Sequence, residues 1–328
     1  MKRLGESIKW FHVFIGGAFF FSCISSAAFA EPVYPNRPIN MIVPYAPGGA
    51  ADLGSKVIAD KISLVLGQPL LSIYKPGGGG SLGAAFVSKA KPDGYTLLVG
   101  SPSPLLLSPI VKKLDYQFED FIPIGIFGKG PIWLAVRGDG RWKDLRDFIR
   151  AAKESPGKLL VGSYGQITSS HFLIETFARQ AGIKLTHVPF KSSGEAVTAL
   201  LGGHLDAGFV MGASGLYASG LIRILAAAVD EKLEGLPDVP IFKNFGLNVV
   251  SNQWTSLCAP KGTPKEIVDK LYNAQKKAFE RYPEEIKESL QKVEYWAYFF
   301  TPQESIQKFK EERDFLLRMA QELGAVAK

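Results

Sequence analysis

From Arg37 onward the chain alternates short apolar runs with longer runs of helical period, and no other feature narrows its fold as far. Ile39 to Pro44 reads as a strand running into Pro47-Gly48-Gly49, and Ala51 to Leu66 as a helix with Leu53, Val57, Ile62 and Val65 near one face. Leu70 to Tyr74 is the next strand. Pro76 and the glycines Gly77 to Gly80 turn the chain into a helix from about Ser81 to Ala90, and Pro92-Asp93-Gly94 makes a turn before the strand Tyr95 to Gly100. This β-α-β-α-β order predicts an α/β protein with largely parallel sheets, built here as one Rossmann-like half.

A second copy of the plan follows. Its strands are predicted near Ile132 to Val136, Leu159 to Gly162, Leu185 to Pro189, Ala207 to Met211 and Ile224 to Val229, with helices such as Trp142 to Glu154 and Ser169 to Ala181 between them. The last third returns to a strand, Trp254 to Ala259, and then to a helical tail divided at Pro260, Pro264, Pro283 and Pro302. A length of 328 residues suits two domains. The tail is expected to rejoin the first unit, giving lobe 1 as residues 32–131 plus 253–328 and lobe 2 as residues 132–252.

The first thirty residues read as a cleaved export signal. Lys2, Arg3 and Lys9 precede an uncharged run from Trp10 to Ile24, and Ala28-Phe29-Ala30 supplies the small-x-small pattern that signal peptidases cut. The apolar run is about 15 residues, short of the roughly 20 that a spanning helix needs. Lipidation at Cys23 is the lesser alternative, because Phe20 stands where a leucine is expected. Removing residues 1–30 takes three Lys/Arg and one Glu from the chain's 38 and 31, leaving a modestly basic 35 against 30.

That charge does not form a nucleic-acid footprint. The tail from Lys261 to Lys328 interleaves 13 Lys/Arg with 12 Asp/Glu, which describes a solvated helical surface. Cys258 is the one cysteine of the mature chain, which excludes an internal disulfide and a cysteine-ligated zinc site. His171, His187 and His204 are not spaced to share a metal, so no metal or cofactor is expected. Gly78 to Gly83 satisfies G-x-G-x-x-G, but it belongs to the second strand-helix unit and no acid follows about 20 residues on to hold a ribose. Gly79 to Gly83 also satisfies G-x-S-x-G around Ser81, yet no local pattern ties a histidine base to that serine. The glycines are better read as allowing close backbone approach.

The informative loops are small, polar and without a base. Tyr45 to Asp52, Gly100 to Ser103 and Gly162 to Ser170 each follow a predicted parallel strand, at the end where open α/β sheets bind ligands. Two of them run straight into helices, whose unpaired N–H groups hold an anion without Arg or Lys.

Tyr34-Pro35-Asn36-Arg37-Pro38-Ile39, then Ile42 to Gly49 and Asp52, closely resembles the opening of the Bug (TctC-type) solute receptors of tripartite tricarboxylate transport systems. The likeness continues through Gly67-Gln68-Pro69, Lys75 to Gly79, Pro92 to Leu98, Pro156 to Leu159, His187 to Lys191, Leu236 to Pro240 and Ala259 to Pro264. The resemblance implies an α/β protein of two Rossmann-like lobes in the periplasmic-binding-protein (Venus flytrap, type II) architecture. It further implies a periplasmic, monomeric receptor that is not an enzyme and delivers a small carboxylate to membrane permease subunits. A ligand sensor that presents its bound state to a membrane kinase is the alternative role. Carried over by position, the ligand loops fall on Tyr45, Ala46, Pro47, Gly48, Gly49, Ala50, Ala51 and Asp52, on Ser81, and on Ser101 and Ser103. In the second lobe they fall on Ser163, Tyr164, Gln166, Thr168, Ser169, Phe190, Lys191 and Met211. This chain departs from the pattern in three places. Ala51 stands where many relatives have Thr or Ser, Val210-Met211 replaces a commoner Asp-Asn, and Ile167 replaces a frequent Gly.

Apart from Lys191 none of these positions is cationic, so carboxylate charge must be met by amides, hydroxyls and water. A mono- or dicarboxylate without an amine is expected, its carbon skeleton against an apolar wall of Tyr164, Phe190 and Met211. Export is tested directly by intact-mass measurement of periplasmic protein. The chain should begin near Glu31 with one free thiol, and a mass retaining Met1 to Ala30, or a diacylglyceryl adduct on Cys23, would refute the leader as read.

Overall fold

A computed structural model describes residues 34–231, Leu236 and residues 238–327. The predicted leader, Cys23 and the mature start at Glu31 lie outside the described residues, as does Pro237 of the Leu236 to Pro240 motif. No helix among the described residues is long and apolar enough to cross a membrane.

The chain opens with β1 (Ile39–Val43), α1 (Ala50–Leu66), β2 (Leu70–Tyr74), α2 (Ser81–Ser88) and β3 (Thr96–Gly100). A wide helical turn, Ser103–Leu107, runs into α3 (Ser108–Val111), and β4 (Phe121–Gly130) completes the first run. Next come β5 (Trp133–Arg137), α4 (Leu145–Glu154), β6 (Leu160–Ser163), α5 (Ser169–Ala181), β7 (Thr186–Pro189), α6 (Ser193–Leu201), β8 (Ala207–Val210), α7 (Ser214–Ala218) and β9 (Ile222–Ala227). The tail is β10 (Gln253–Pro260), α8 (Lys265–Arg281), α9 (Pro283–Lys292), β11 (Trp296–Ala297) and α10 (Pro302–Glu322).

Two sheets result, ordered β11-β4-β10-β3-β1-β2 and β7-β6-β8-β5-β9. The chain passes from the first to the second between β4 and β5, and returns between β9 and β10. The sheets are mixed rather than largely parallel. β1, β2 and β3 run parallel, as do β6, β7 and β8, but β10 is antiparallel to both β3 and β4, and β5 to both β8 and β9. The first strand after each crossover, β5 and then β10, thus runs opposite to its neighbours.

Two further expectations need correction. The expected strands leave out Phe121–Gly130, where Pro123 and three glycines weigh locally against a strand. Here they serve close packing: a Cβ on Gly125 would lie 2.9 Å from the Phe300 carbonyl oxygen, and one on Gly128 3.1 Å from the Tyr295 ring. Helix α1 also turns a different face inward. Leu53 is 37% exposed, and Val57 and Val65 are only half-buried, while Ala50, Gly54, Ser55, Ile58, Ala59 and Ile62 are buried. Tyr295 lies against Gly54, where a Cβ would sit 3.1 Å from its ring, so small residues mark the inner face alongside Ile58 and Ile62.

Helix α10 packs on β4, and its buried Glu312 is 2% exposed with Oε1 lacking a hydrogen-bond partner. Burial pushes this carboxyl up to about 7, against opposing contributions from Asn252 and Lys129. A raised native pKa means that the folded state holds the proton more tightly than the unfolded chain. The stability it confers is complete below the ordinary glutamate range and is lost as pH rises through about 7. Glu312→Gln should therefore match the wild type at about pH 4 and exceed it by up to about 3 kcal/mol at about pH 8. Denaturant titration at the two pH values checks this.

Candidate ligand-binding site

A cavity opens where loops of the two sheets meet. From the first sheet come Tyr45, Gly49, Ala50 and Ala51 after β1, Ser101 after β3, Gln253 and Thr255 on β10, and Tyr295 before β11. The second sheet supplies Tyr164 after β6, Ser192 and Ser193 after β7, and Met211 after β8. The cavity volume is about 30 Å³, room for about two waters. Among the described residues, no Lys, Arg, His, Asp or Glu lines it.

Two helix N-termini open on this space. Gly49 is the cap residue of α1, and no side chain satisfies the N–H groups of that helix's first turn. Ser192 caps α6, its hydroxyl accepting from the Glu195 N–H, and Ser193 begins that helix. The turn before α1 needs Gly48 at φ +80°, and Asp52 holds it in shape. The Asp52 carboxylate, 1% exposed, accepts from the Gly48 N–H at 2.9 Å, the Tyr74 hydroxyl at 3.0 Å and the Lys56 ammonium at 3.0 Å.

Neutral hydroxyls fill much of the remaining wall. The Tyr45 hydroxyl pairs with Ser101 Oγ at 3.3 Å, the Tyr164 hydroxyl donates to Gln253 Oε1 at 3.3 Å, and Thr255 Oγ1 donates to the Tyr295 hydroxyl at 3.3 Å. Burial raises the pKa of all three phenols, Tyr164 well above the ordinary value and Tyr295 up to about 12, so each stays a proton donor. Tyr45 and Tyr164 meet edge to face across the two sheets at 6.0 Å. Met211 and these rings give the cavity its apolar side.

Of the sequence-predicted residues, Tyr45, Gly49, Ala50, Ala51, Ser101, Tyr164 and Met211 therefore converge on one cavity. The others lie around it. Ala46 donates its N–H to the Lys191 carbonyl at 3.2 Å, and Ser103 Oγ accepts the Ser169 N–H at 3.0 Å; both bonds tie the first sheet's loops to the second's. Pro47 and Gly48 form the turn that Asp52 clamps. Ser81 begins α2, its hydroxyl packed over Gly78. Gly79 makes the close approach expected of the glycine run, because a Cβ there would stand 2.6 Å from the Gln166 carbonyl oxygen and 2.7 Å from that of Ile167. Ile167 itself has φ +58°, a conformation costly for a β-branched residue. Ser163 and Thr168 hold their own loop, the first through Gly165 and the His187 ring at 2.6 Å, the second as cap of α5. Gln166 and Lys191 are exposed and Phe190 is half-buried against the core of the second sheet, so neither Lys191 nor Phe190 lines the cavity.

The histidines hold a surprise for sequence reasoning. His171 and His187 stack ring on ring at 4.0 Å, and burial then drives His187 down to about 4, with the facing His171 adding to the shift. Among the described residues no group of three or more His, Cys, Asp or Glu is placed to hold a metal ion. The residues missed were Ser192, Ser193, Gln253, Thr255 and Tyr295. Three of these carried a signal: Ser192-x-x-Glu195 is a helix-start pattern, and Gln253 and Thr255 put polar side chains on one face of an otherwise apolar strand.

A family profile described as "Tripartite tricarboxylate transporter family receptor" matches residues 55–324. The chain belongs to this family. It is 34% identical over 276 residues to a protein of Cupriavidus necator described as "UPF0065 protein in gbd 5'region", covering 84% of each chain. Its fold matches that of the periplasmic binding protein BugD, with TM-score 0.84, 25% identity and coverage of 90% and 100%. It also matches MatC of Rhodopseudomonas palustris, solved with bound malate, with TM-score 0.81, 28% identity and coverage of 87% and 99%. A third match is Rpa4515 of R. palustris, solved with adipate, with TM-score 0.84, 25% identity and coverage of 89% and 99%. The fold is thus the α/β type II periplasmic-binding-protein architecture, in a family of solute receptors rather than enzymes.

The Ser103–Ser169 contact gives a direct test of how the sheets are joined. Ser103→Ala leaves the buried Ser169 N–H without its acceptor and should cost about 1–3 kcal/mol in equilibrium denaturation.

Proposed function

We propose that this chain is an extracytoplasmic receptor that binds a small carboxylate between two lobes and hands it to the membrane subunits of a tripartite carboxylate transporter. The observation that carries the reading is the uncapped N-terminus of α1 at Gly49 to Ala51, opening on a cavity without a charged side chain. Unpaired N–H groups and the positive end of a 17-residue helix favour a carboxylate there. Tyrosine and serine hydroxyls supply further donors. The lobes are residues 32–131 with 253–328, and residues 132–252, and the two crossovers between sheets suit a hinge. Periplasmic residence, after loss of the leader, fits the relatives' setting.

Lining chemistry narrows the ligand. No acid lines the cavity, so an α-ammonium has no partner, and no Lys or Arg offsets a citrate-like charge. Malate and adipate, found in the two R. palustris proteins, carry two carboxylates and no amine, and a skeleton of that kind suits the Met211 side of the wall. Thr255, Gln253 and Ser101 also line the cavity and offer polar groups to a second carboxylate or a hydroxyl.

A thermal-shift screen of mono- and dicarboxylates decides the matter. Saturation at about 100 times the dissociation constant stabilises the native state by about 2.7 kcal/mol, well within reach of a melting curve. Aliphatic or aromatic acids without an amine should raise Tm. If aspartate, glutamate or citrate raised it while malate, adipate and simple monoacids did not, the reading of the cavity would be wrong.

A further inference from the structure

Between α9 and β11 the tail of the first sheet passes through Glu294, which is 3% exposed and held at φ +60°, a backbone that glutamate rarely adopts. Such a conformation persists only where the surroundings over-determine it. Its carboxylate leaves the first sheet. Oε2 accepts the indole N–H of Trp133, the fully buried first residue of β5 at the root of the second sheet. Oε1 is buried and has no hydrogen-bond partner. Near the carboxylate stand the backbone N–H groups of Gly212 and Ala213 and the Ser214 hydroxyl, in the turn that leads from β8 into α7.

The neighbours of both segments are cavity walls: Tyr295 follows Glu294, and Met211 precedes Gly212. Gly130, at the end of β4, lies where they meet. A Cβ on it would come 2.5 Å from Met211 Cε and 3.2 Å from the Glu294 carbonyl oxygen. One buried carboxylate therefore spans from the first sheet's tail to the first strand of the second sheet and to the turn that carries a cavity wall.

We propose that Glu294 is the latch of lobe closure, gripping Trp133 at all times and engaging the Gly212–Ser214 donors through Oε1 as the lobes close on a ligand. The proposal rests on the receptor reading above and adds the residue that sets its closed population. A buried acceptor without a partner, placed beside three donors, gains from their approach. That approach carries Met211 toward Tyr295 and narrows the cavity beside the first turn of α1, where Gly212 lies against Ala50. Glu294 does not line the cavity, so it is a positioning residue.

The test measures the distance between spin labels at Lys153→Cys on α4 and Lys277→Cys on α8, the native Cys258 thiol being fully buried. Glu294→Gln keeps the side chain's size but removes its charge. In the ligand-free protein it should shift the distribution to longer distances. A tenfold loss of closed population raises the apparent dissociation constant for malate or adipate about tenfold. A merely structural role would instead lower Tm and leave the distances alone, whereas removing a buried carboxylate should hold or raise Tm. Ser214→Ala, at the start of the short helix α7, removes one donor and should move the distances in the same direction, which decides the case if Glu294→Gln does not fold. Distances unmoved in the folded variants overturn the latch. If wild-type protein binds neither malate nor adipate, the ligand class fails, and the ligand-free distances still decide the latch.

Discussion

The positive ends of α1 and α6 converge on one cavity from opposite sheets, and no charged side chain stands between them. Like-signed helix ends brought together in a water-poor space repel, and the repulsion weakens when an anion lies between them. In the proposed receptor, this would tie lobe closure to carboxylate binding without a single Arg or Lys in the cavity. The hydroxyls of Tyr45, Tyr164 and Tyr295 extend the same logic, since burial keeps all three protonated and therefore donating. Selectivity follows from geometry more than from net charge. Fixed N–H and O–H donors reward a carboxylate in one orientation, whereas a lysine would accept any anion that reached it.

Asp52 shows how far the site depends on residues outside it. Its three partners, Gly48, Tyr74 and Lys56, fix the Pro47-Gly48-Gly49 turn and hence the start of α1. It is the one acid among the predicted ligand positions, and in the first turn of α1 it both complements the helix dipole and shapes the turn. Ile167 reads in the same way. At φ +58° it occupies a conformation suited to glycine, and Gly79 packs on its carbonyl, so strain on one side is met by a close fit on the other.

What was legible in the sequence was what periodicity and βα order control: the two sheets, the loops after β1, β3 and β6, and helices such as Ser169–Ala181. What escaped came from long-range pairing. Gln253, Thr255 and Tyr295 enter the cavity because β10 inserts antiparallel between β3 and β4 and the tail follows it, and local pattern does not encode where a returning strand inserts. The same cause hid β4, whose Pro123, Gly125 and Gly128 read as loop until Phe300 and Tyr295 are packed against them. Ser192 and Ser193 were within reach, two residues past the predicted Phe190-Lys191.

Both orphaned buried glutamates lie where the two sheets join. Glu294 reaches Trp133 at the first crossover, and Glu312 faces Asn252 at the end of the second. A carboxylate buried without full pairing destabilises the conformation that buries it, typically by a few kcal/mol. In the latch proposed above, closure brings the Gly212–Ser214 donors to Glu294 Oε1 and relieves that cost, so Glu294 biases the lobes toward closing, whereas Glu312 Oε1 keeps its cost unpaired. That bias has to stop short of full closure without cargo, because a lobe pair that stays shut when empty neither captures nor delivers. In the proposed receptor the rest of the driving force comes from an anion lying between the ends of α1 and α6.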